Sequence, residues 1–302
     1  MKAIVCTKYG PPDVLRLSEV DKPTPRDNEV LVKIHATTVT SSDCIVRGFK
    51  LPLSMWIPGR IALGLRGPRK PILGVELAGE VEAIGKRVGR FGIGDRVFAF
   101  TGRGGFGAYA EYTCVAEDGL VAMMPAGVTY EEVAATTFAS LAWHFLRKAS
   151  VKKGQKVLVY GASGAAGTYA VQLAKYMGAQ VTGVCSGANL ELVRSLGADN
   201  VIDYTKADFT KNAELYDVIF DAVGKLSKSS CENALAPTGT YVSINHGNPW
   251  PRVEDLVLLM ELVATKQIRS VIDRRYSLEQ IPEAHRYVDE GHKKGNVVVN
   301  VS

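Results

Sequence analysis

The sequence lacks any apolar run long enough to cross a membrane: no segment approaches the ~18 uncharged apolar residues of a transmembrane helix. Its opening stretch, MKAIVCTKYGPPDV, loses its apolar character after a few residues, unlike a secretory signal peptide. These two absences predict a soluble, intracellular protein. We therefore expect it in the cytoplasm, with no membrane partner.

Cysteine is scarce, and its positions form no paired motif. The chain has five cysteines that stand far apart, with no C-x-x-C spacing: Cys6, Cys44, Cys114, Cys185 and Cys231. An odd number of isolated cysteines argues against a disulfide framework and is typical of a reducing compartment. We expect mostly buried thiols that pack as small apolar side chains.

An excess of charge of one sign is also missing. The 36 Lys and Arg residues against 31 Asp and Glu leave a net charge of +5, which is scattered along the chain. Nucleic-acid binding requires a basic patch or stripe, so we expect no nucleic-acid partner. With 46% hydrophobic and 22% charged residues, the 302-residue chain has the composition of an ordinary globular protein of about two domains.

Two different patterns divide the chain. Over residues 1–125, short β-branched runs cut by Gly, Pro and Asp turns predict an all-β domain. Over residues 126–270, apolar strands such as KVLVYG alternate with helical segments such as AAGTYAVQLAKYMG, which predicts a parallel sheet with helices on both faces. The remaining residues, 271–302, contain a helical segment and the strand NVVVNV, and we expect them to return to the first domain.

One stretch between the predicted strands is rich in Pro, Gly and Arg. Residues 50–71, around Trp56, predict a long loop near the cleft between the domains. Loops of this length are often functional, but this one could equally be only a cover.

The most specific motif is a glycine-rich turn, GASGAAG, between the strand KVLVY and a helix. Two glycines three residues apart permit a tight turn and a close approach of the backbone to a pyrophosphate, while the helix N-terminus supplies N–H groups and a positive dipole end. Residue 162 is Ala, so the first glycine of G-x-G-x-x-G is shifted, but the strand before and the helix after provide the required context. The turn predicts dinucleotide binding by Gly161, Ser163, Gly164, Ala165, Ala166 and Gly167.

The end of the second strand favours NADPH over NADH. An NAD site usually places an Asp or Glu there for the ribose hydroxyls, whereas this chain has CSGAN at 185–189. Without a carboxylate in that stretch, a 2'-phosphate is acceptable. The donors expected for it are Ser186, Asn189, Arg194 and Tyr204. A solvated charge on a helix face is an equal alternative for Arg194, and Val223 completes the predicted cofactor contacts.

Longer segments show a family pattern that covers nearly the whole chain. They are MKAIVCTKYGPPDVLRL, VLVKIHATTVTSSDCIVRG, PILGVELAGEVEAIGKRVGRFGIGDRVFAF, GAYAEY, VLVYGASGAAGTYAVQLAKYMGA, LGADNVIDY and AHRYVDEGHKKGNVVV. Together they resemble the medium-chain dehydrogenase/reductase superfamily, in its zinc-free quinone oxidoreductase-like (enone reductase) branch. The resemblance implies an α/β chain with a doubly wound Rossmann domain and a GroES-like β-barrel catalytic domain. It also implies hydride transfer from NADPH to an α,β-unsaturated carbonyl or a quinone.

Zinc ligands of the metal-dependent relatives are missing. Those relatives carry a catalytic Cys in the segment matching TTVTSSD, a His-Glu pair in the segment matching LGVE, and a four-cysteine lobe. Here the segments hold Ser41, Ser42 and Asp43, then Val75 and Glu76, and no cysteine cluster follows residue 85. Because zinc takes three or four Cys, His or carboxylate ligands, we expect no metal and no Lewis-acid chemistry.

Hydride transfer to an enone leaves negative charge on the carbonyl oxygen, so the site needs hydrogen-bond donors more than a strong acid. The turn at Ser41 and Ser42 matches the family's substrate-facing turn, which makes these two residues the first donor candidates. Asp43 could orient a donor, but we favour a helix cap. The family's tyrosines just downstream are absent, and solvent can complete the protonation.

The resemblance also places a small hydroxyl residue near the nicotinamide. Ser140 or Thr137 fits that position, although hydroxyls on a buried helix often bond only to a carbonyl of the preceding turn. We expect His144, beside Phe145, to be a packed histidine and not a proton donor. Tyr109 lines the cleft or belongs to the barrel core.

Quaternary structure is predicted from a departure from the family. In relatives the strand matching GTYVSINHG is followed by an edge strand used for dimer pairing, whereas here NPWP leads almost at once into a helix. Because a proline-bearing edge pairs poorly, we expect a monomer or a dimer through another surface.

Two functions remain at this point. The first is an NADPH-dependent reductase of enones or quinones. The alternative is a catalytically weak or inactive NADPH-binding protein of the same fold, which would bind NADPH without substrate-dependent oxidation.

Overall fold

The computed structural model describes residues 1–102, 105–247 and 251–301. Its strands are β1 (Lys2–Cys6), β2 (Leu15–Glu19), β3 (Glu29–Val39), β4 (Glu76–Ile84), β5 (Arg96–Phe100), β6 (Tyr112–Ala116), β7 (Val121–Met123), β8 (Lys156–Tyr160), β9 (Gln180–Cys185), β10 (Asn200–Asp203), β11 (Tyr216–Asp221), β12 (Leu235–Ser243), β13 (Ile272–Ser277) and β14 (Asn296–Asn300). Its α-helices are α1 (Ser41–Gly48), α2 (Leu53–Leu63), α3 (Tyr130–Ala134), α4 (Thr137–Lys148), α5 (Ala165–Tyr176), α6 (Leu190–Ser195), α7 (Val253–Ala264) and α8 (Ile281–Asp289).

The chain divides into two units. The first contains residues 1–135 together with 272–302, and the second contains residues 136–271. The first unit extends past residue 125, where the sequence pattern changes, because α3 packs against β3 and β4. Strand β14 pairs antiparallel with β3, so the C-terminal segment belongs to the first unit.

A parallel sheet forms the centre of the second unit, in the order β10-β9-β8-β11-β12. The inner strands are apolar on both faces because helices cover both: Val157 pairs with Val181 on one side and with Val218 on the other, and all three are buried. This confirms the predicted doubly wound parallel sheet.

Helix α5 follows β8 directly and is buried along most of its length. Every residue from 165 to 174 is buried, and half of these are Ala or Gly. Small side chains let α5 lie close to the sheet and to α4. This close packing fixes the N-terminus of α5 at the carboxyl end of β8.

The first unit is organised around the long strand β3. Its largest sheet has the order β13-β14-β3-β4-β5-β7, with β6 also paired to β3. The chain leaves β3 at Val39 and enters α1 two residues later, at Ser41. Helix α8 packs against α1, and both contribute to an apolar cluster with β14.

Two sequence predictions about the first unit are wrong. It is not all-β, since α1 and α2 lie within residues 1–125, and the segment 50–71 is not one long loop. Pro52 and Pro58 misled the prediction. Pro52 is the N-cap of α2, where a missing N–H costs nothing, and Pro58 is accommodated within the helix.

Strand β12 lies at one edge of the parallel sheet, and Pro237 is part of it. Most of the NPWP segment, residues 248–250, lies outside the described residues, so the expectation of a monomer or an atypical dimer stays a prediction. Within the described part of the chain, no helix combines the length and the apolar character that crossing a membrane requires.

Candidate functional site

The glycine-rich turn joins β8 to α5, and its first glycine is required by the turn itself. Gly161 has φ +78°, a conformation that L side chains rarely adopt. A Cβ atom at this position would also lie 2.1 Å from Cγ2 of Val223. Val223 therefore packs over the turn, and no larger residue fits at position 161.

Gly167 is required by packing. A Cβ atom there would lie 2.0 Å from the carbonyl oxygen of Gly161 and 2.9 Å from Cα of Ala162. The glycine lets the first turn of α5 contact the backbone of the preceding loop. This is the close helix-strand approach of a dinucleotide-binding turn.

Gly164, in contrast, is not required by the protein's own packing. It is the N-cap of α5 with φ −79° and ψ 177°, which any residue can adopt. A Cβ atom would meet only the carbonyl oxygen of Gly161, at an ordinary 3.4 Å. The space that a side chain would fill is therefore open, which fits a pyrophosphate at this position.

The N-terminus of α5 also lacks a side-chain cap. No side chain accepts a hydrogen bond from its first N–H groups at the cap position, since residue 164 is glycine. The backbone of Ala165, Ala166 and Gly167 forms this first turn, where N–H groups and the helix dipole attract an anion. The residues present thus fit the diphosphate of a nicotinamide dinucleotide.

Three predicted cofactor residues form one hydrogen-bonded group beside the turn. The buried Asn189 donates from Nδ2 to Oγ of Ser163 and to Oγ of Ser186, each at 3.1 Å. The amide thereby ties the glycine-rich turn to the loop that follows β9. Its oxygen, Oδ1, is buried without a partner in the part of the chain that the structure describes, and it can accept a hydrogen bond.

A carboxylate lies beside this loop, contrary to the premise from which NADPH was predicted. Asp203 ends β10 and pairs in register with Cys185, the last residue of β9. A Cβ atom on Gly187 would lie 2.6 Å from Oδ2 of Asp203. The hydroxyl and N–H of Thr205 donate to Oδ1 and lower the pKa of Asp203, so the group is ionised. The segment NVIDY contains this aspartate, but only the register of β10 against β9 shows that its carboxylate lies beside the loop.

The other two predicted phosphate contacts are exposed. Arg194 forms an ion pair with Glu191 one helical turn earlier, which corresponds to the solvated-charge alternative. Tyr204 is about half exposed, with its ring centre 6.4 Å from that of Tyr160. Both tyrosines line a pocket of about 410 Å³ at the carboxyl end of the sheet. The remaining lining residues are Ala207, Asp208, Phe209, Thr210, Leu226 and Ser230.

Helix α4 carries the residues predicted to lie near the nicotinamide. Ser140 is buried and donates to the carbonyl of Thr137 at 2.7 Å, which is the local bond anticipated for such a hydroxyl. The hydroxyl of Thr137 is buried without a partner among the described residues. The prediction of a packed His144 is wrong: the ring is exposed and meets Phe145 edge-on.

The N-terminus of α1 is closed by its own side chains. Thr40 is the N-cap, and its N–H and hydroxyl donate to Oδ2 of Asp43 at 2.9 and 2.6 Å, while the N–H of Asp43 donates back to the Thr40 hydroxyl. Asp43 is therefore the third residue of a capping box and not the cap itself. Burial raises the pKa of Asp43 to about 6, although the bonds from Thr40 act against the shift.

Ser41 and Ser42 occupy the first two positions of α1 and are exposed. Because Thr40 and Asp43 perform the capping, neither serine hydroxyl is needed for it. Within the described residues, neither hydroxyl forms a hydrogen bond to the protein. Both are free to donate to a ligand, and their roles as donors stay a prediction.

Tyr109 lies in the apolar core, which settles its placement within the first unit. Its ring meets His285 edge-on, and Sγ of Cys44 lies 3.3 Å from Nδ1 of the same histidine. Burial raises the pKa of Cys44 to about 12 and lowers the pKa of His285 to about 3. The pair is thus a neutral thiol beside a neutral imidazole at pH 7 and has no nucleophilic character.

Metal donors are not assembled in the described residues. Glu76 is buried and accepts a hydrogen bond from the hydroxyl of Thr38, and no group of three or more His, Cys, Asp or Glu side chains converges elsewhere in those residues. This described donor set does not fit zinc.

Lys293 is a further, partly buried cation, which the sequence pattern did not single out. Its desolvated ammonium donates to the carbonyl of Gly295. Burial lowers the pKa of Lys293 to about 8, against the opposing effect of Glu76.

Comparisons with known proteins agree with this fold. Residues 26–126 match the family described as alcohol dehydrogenase GroES-like domain, and residues 165–290 match the family described as zinc-binding dehydrogenase. The chain is 32% identical over 324 residues to 2-methylene-furan-3-one reductase of Solanum lycopersicum, covering 99% of this chain and 79% of that protein. It is also 32% identical over 358 residues to the mitochondrial NAD(P)H oxidoreductase RTN4IP1 of Mus musculus, covering 100% and 89%. The solved quinone oxidoreductase of Coxiella burnetii superposes with a TM-score of 0.89 at 29% identity, covering 100% and 99%.

Proposed function

Because the chain belongs to the quinone oxidoreductase-like branch of the medium-chain dehydrogenase/reductase family, we propose that it reduces an α,β-unsaturated carbonyl or a quinone with NADPH and without a metal ion. Membership makes the chain an oxidoreductase that depends on a nicotinamide cofactor. The choice of NADPH, the acceptor and the metal-free chemistry are the finer parts of the proposal.

The open position at Gly164 carries the proposal. Gly161 and Gly167 are explained by φ and by packing, but among the described residues no atom would come closer than 3.4 Å to a Cβ atom at residue 164. A glycine that the fold does not need, at an uncapped helix N-terminus, is accounted for by a diphosphate against the backbone. When bound, the reduced nicotinamide supplies the hydride.

NADPH is favoured by the donors around the loop after β9. Ser186 and Tyr204 offer hydroxyl groups, and Asn189, whose amide donates to Oγ of Ser163 and of Ser186, holds the Ser186 hydroxyl in place. Asp203 opposes a 2'-phosphate through its charge, but one of its oxygens is engaged by Thr205. The balance of these groups supports a preference for NADPH that falls short of exclusion of NADH.

The acceptor is proposed from chemistry that requires only hydrogen-bond donors. The name of the tomato relative describes a ketone conjugated to a methylene group, which is an enone. The free hydroxyls of Ser41 and Ser42 are the groups that we assign to the carbonyl oxygen, where negative charge develops as the β-carbon gains hydride. Water then protonates the α-carbon, so no buried acid is required.

The proposed scheme uses no metal, because no group of metal ligands converges among the described residues. Ser41 and Ser42 stand where metal-dependent relatives have a cysteine, and Glu76 is already hydrogen-bonded to Thr38. Zinc chemistry would require three or four ligands in tetrahedral arrangement. We therefore expect activity that resists chelating agents.

The test is steady-state oxidation of NADPH with a panel of enones, quinones and aldehydes, with NADH run in parallel. We expect turnover with enones or quinones, little with saturated aldehydes, and the same rates after treatment with a chelator. Loss of activity on chelation, restored by zinc, would contradict the metal-free mechanism. NADPH binding without oxidation by any acceptor would instead support the alternative of a catalytically weak cofactor-binding protein.

A cytoplasmic location stays a prediction.

A further inference from the structure

Helix α2 is apolar on two sides, and the protein covers only one of them. On the covered side Gly59 is buried: a Cβ atom there would lie 2.4 Å from Cδ1 of Leu51. On the other side Leu53, Ile57 and Ile61 are 92%, 68% and 63% exposed. Their spacing of four residues places them along one ridge of the helix. A helix that is apolar all round is normally buried all round.

The ridge is part of a larger apolar surface. Leu65, just after the helix, is 76% exposed, and Met55 and Trp56 are each about half exposed. A cluster of large exposed apolar side chains on one segment marks an interaction site in a folded protein. Isolated exposed residues such as Ile93, elsewhere in the first unit, need no such explanation.

The helix is held so that the ridge stays outside. The Arg60 guanidinium stacks 3.9 Å from the ring centre of Phe49 and 4.8 Å from that of Tyr9, and it also faces Trp56. The hydroxyl of Tyr9 donates to the carbonyl of Gly64 at 2.9 Å. Turning the ridge inward would break these contacts, so the first unit does not cover the ridge by rotating α2.

The charge around α2 indicates what that partner is. Residues 44–75 contain six Lys and Arg residues and no Asp or Glu. Three of the six are held by the first unit: Arg47 and Lys50 pair with Asp289, and Arg60 is stacked. The other three are exposed, and within the described residues they form no ion pair: Arg66, Arg69 and Lys70.

The three unpaired cations lie beyond the C-terminal end of α2. The N–H of Arg69 donates to the carbonyl of Leu63 at 2.7 Å, which fixes this basic segment against the helix end. A second copy of the chain docking symmetrically would bring the same positive charges together, which is unfavourable. A surface with negative charge beside an apolar layer complements both features.

We propose that α2 binds the protein to the surface of an anionic lipid bilayer. Leu53, Ile57 and Ile61 enter the boundary between headgroups and acyl chains, together with the indole of Trp56, a residue favoured at that depth. Arg66, Arg69 and Lys70 contact the anionic headgroups. A membrane partner is not expected from the net charge or from the length of apolar runs, because neither property reveals a local surface such as this one. The inference does not depend on the hydride acceptor.

The test is co-sedimentation of the full chain with vesicles of phosphatidylcholine alone and of phosphatidylcholine with phosphatidylserine. We expect binding to the anionic vesicles only, weakened by salt, and a blue shift of tryptophan fluorescence that is absent in Trp56→Phe. Binding that is equal on both vesicles, or absent from both, would overturn the proposal. The wild-type comparison stands even if a variant fails to fold.

Two matched pairs of variants locate the surface. Ile57→Gln with Ile61→Gln should weaken binding by about tenfold per residue, whereas Ile93→Gln should not change it. The triple change Arg66→Gln, Arg69→Gln, Lys70→Gln should weaken it by on the order of a hundredfold, since each basic residue contributes roughly fivefold. The control triple Lys152→Gln, Lys153→Gln, Lys225→Gln removes the same net charge and should have a much smaller effect.

Equal losses from the control triple would show that net charge alone acts, and would overturn the assignment to α2. Light scattering provides the remaining comparison. A dimer that dissociates in Ile57→Gln with Ile61→Gln would show that a second copy covers the ridge and would also overturn the proposal. Circular dichroism melts of all variants establish that they fold.

Discussion

Helices α1 and α5 each follow a strand, and their N-termini differ: one is capped by side chains and the other is not. In the first unit, α1 follows β3 and is closed by Thr40 and Asp43, which satisfy each other's backbone N–H groups. In the second unit, α5 follows β8 and begins at Gly164, which has no side chain to offer. The closed end stabilises the fold, whereas the open end leaves its N–H groups for a ligand.

This difference between the two N-termini assigns a structural role to the N-terminus of α1 and a ligand-binding role to that of α5. The sequence patterns alone did not separate these roles. An N-cap side chain stabilises a helix by about 1 kcal/mol, so an uncapped end after a buried strand is a local loss. Such departures from local optimisation are expected at functional sites. Asp43, once a candidate for the chemistry, is occupied by the capping box, while the neighbouring hydroxyls of Ser41 and Ser42 stay free.

The largest expected effect comes from closing the open end. Gly164→Val should lower NADPH affinity by on the order of a hundredfold or more, because the side chain fills the space of the diphosphate and removes charge-assisted hydrogen bonds. The unfolding free energy should change by less than about 1 kcal/mol, since a Cβ atom at this position meets only the carbonyl oxygen of Gly161, at 3.4 Å. Titration calorimetry and denaturant unfolding measure the two quantities.

Gly89→Val is the control for this substitution. A Cβ atom at Gly89 meets nothing within 4 Å, and the residue is not part of the glycine-rich turn. It should leave both NADPH affinity and stability unchanged. If Gly164→Val binds NADPH like the wild type, the open end is not the diphosphate site and the comparison fails.

Opening the closed end should have the converse result. Asp43→Ala leaves the N–H and hydroxyl of Thr40 buried without an acceptor, and should reduce the unfolding free energy by about 2 kcal/mol. NADPH affinity should not change, because the hydrogen bonds that this variant loses are local to the N-terminus of α1. The matched control is Glu132→Ala in the capping box of α3, whose bonds to Thr129 are exposed and whose loss should cost less. A large loss of NADPH affinity in Asp43→Ala would contradict the separation of roles.

The open end was predictable from the sequence, and its surroundings were not. The glycine-rich turn is local: the strand, the glycines and the helix are consecutive, so their conformations follow from neighbouring residues. Even there, the reason for each glycine required coordinates, since φ at Gly161 and the contact at Gly167 are not visible in the letters. The doubly wound sheet followed in the same way from alternating strands and helices.

What the sequence did not reveal depends on register and on helix faces. Asp203 reaches the loop after β9 only because β10 pairs with β9 residue for residue. Helix α2 was missed because Pro52 and Pro58 suggested a loop, although a proline at the N-cap costs nothing. His144 was expected to be packed, but the face of α4 on which it lies is exposed.

The pH dependence of stability tests whether burial raises the pKa of Asp43 at the closed N-terminus of α1. The folded pKa of Asp43 is about 6, above its ordinary 3.8, so burial favours the protonated form. Its contribution to stability is therefore fully present below pH 3.8 and is lost as the pH rises through 6. Asp43→Asn keeps an acceptor for Thr40 and removes the titration, so the stability of the wild type relative to the variant should fall between these pH values and level off above.

Denaturant unfolding of both proteins across that range is the measurement. His285 titrates in an overlapping range with the opposite sign, because its lowered pKa makes acid destabilising. It is present in both proteins, so the difference between them isolates Asp43. A difference that does not vary with pH would mean that Asp43 is ionised throughout this pH range and that burial does not raise its pKa.

The smallest expected effect concerns which dinucleotide the open end selects. Asp203→Asn removes a negative charge beside Gly187 while keeping an oxygen for the two hydrogen bonds from Thr205, so the loop should be preserved. The ratio of kcat/KM for NADPH to that for NADH should rise about fivefold, because the variant removes a negative charge near the 2'-phosphate. Asp95→Asn, in a similar turn on Gly92 in the first unit, should leave the ratio unchanged. An unchanged ratio in Asp203→Asn would mean that the carboxylate does not face the 2'-position, and the hydroxyl donors Ser186 and Tyr204 would then set the preference alone.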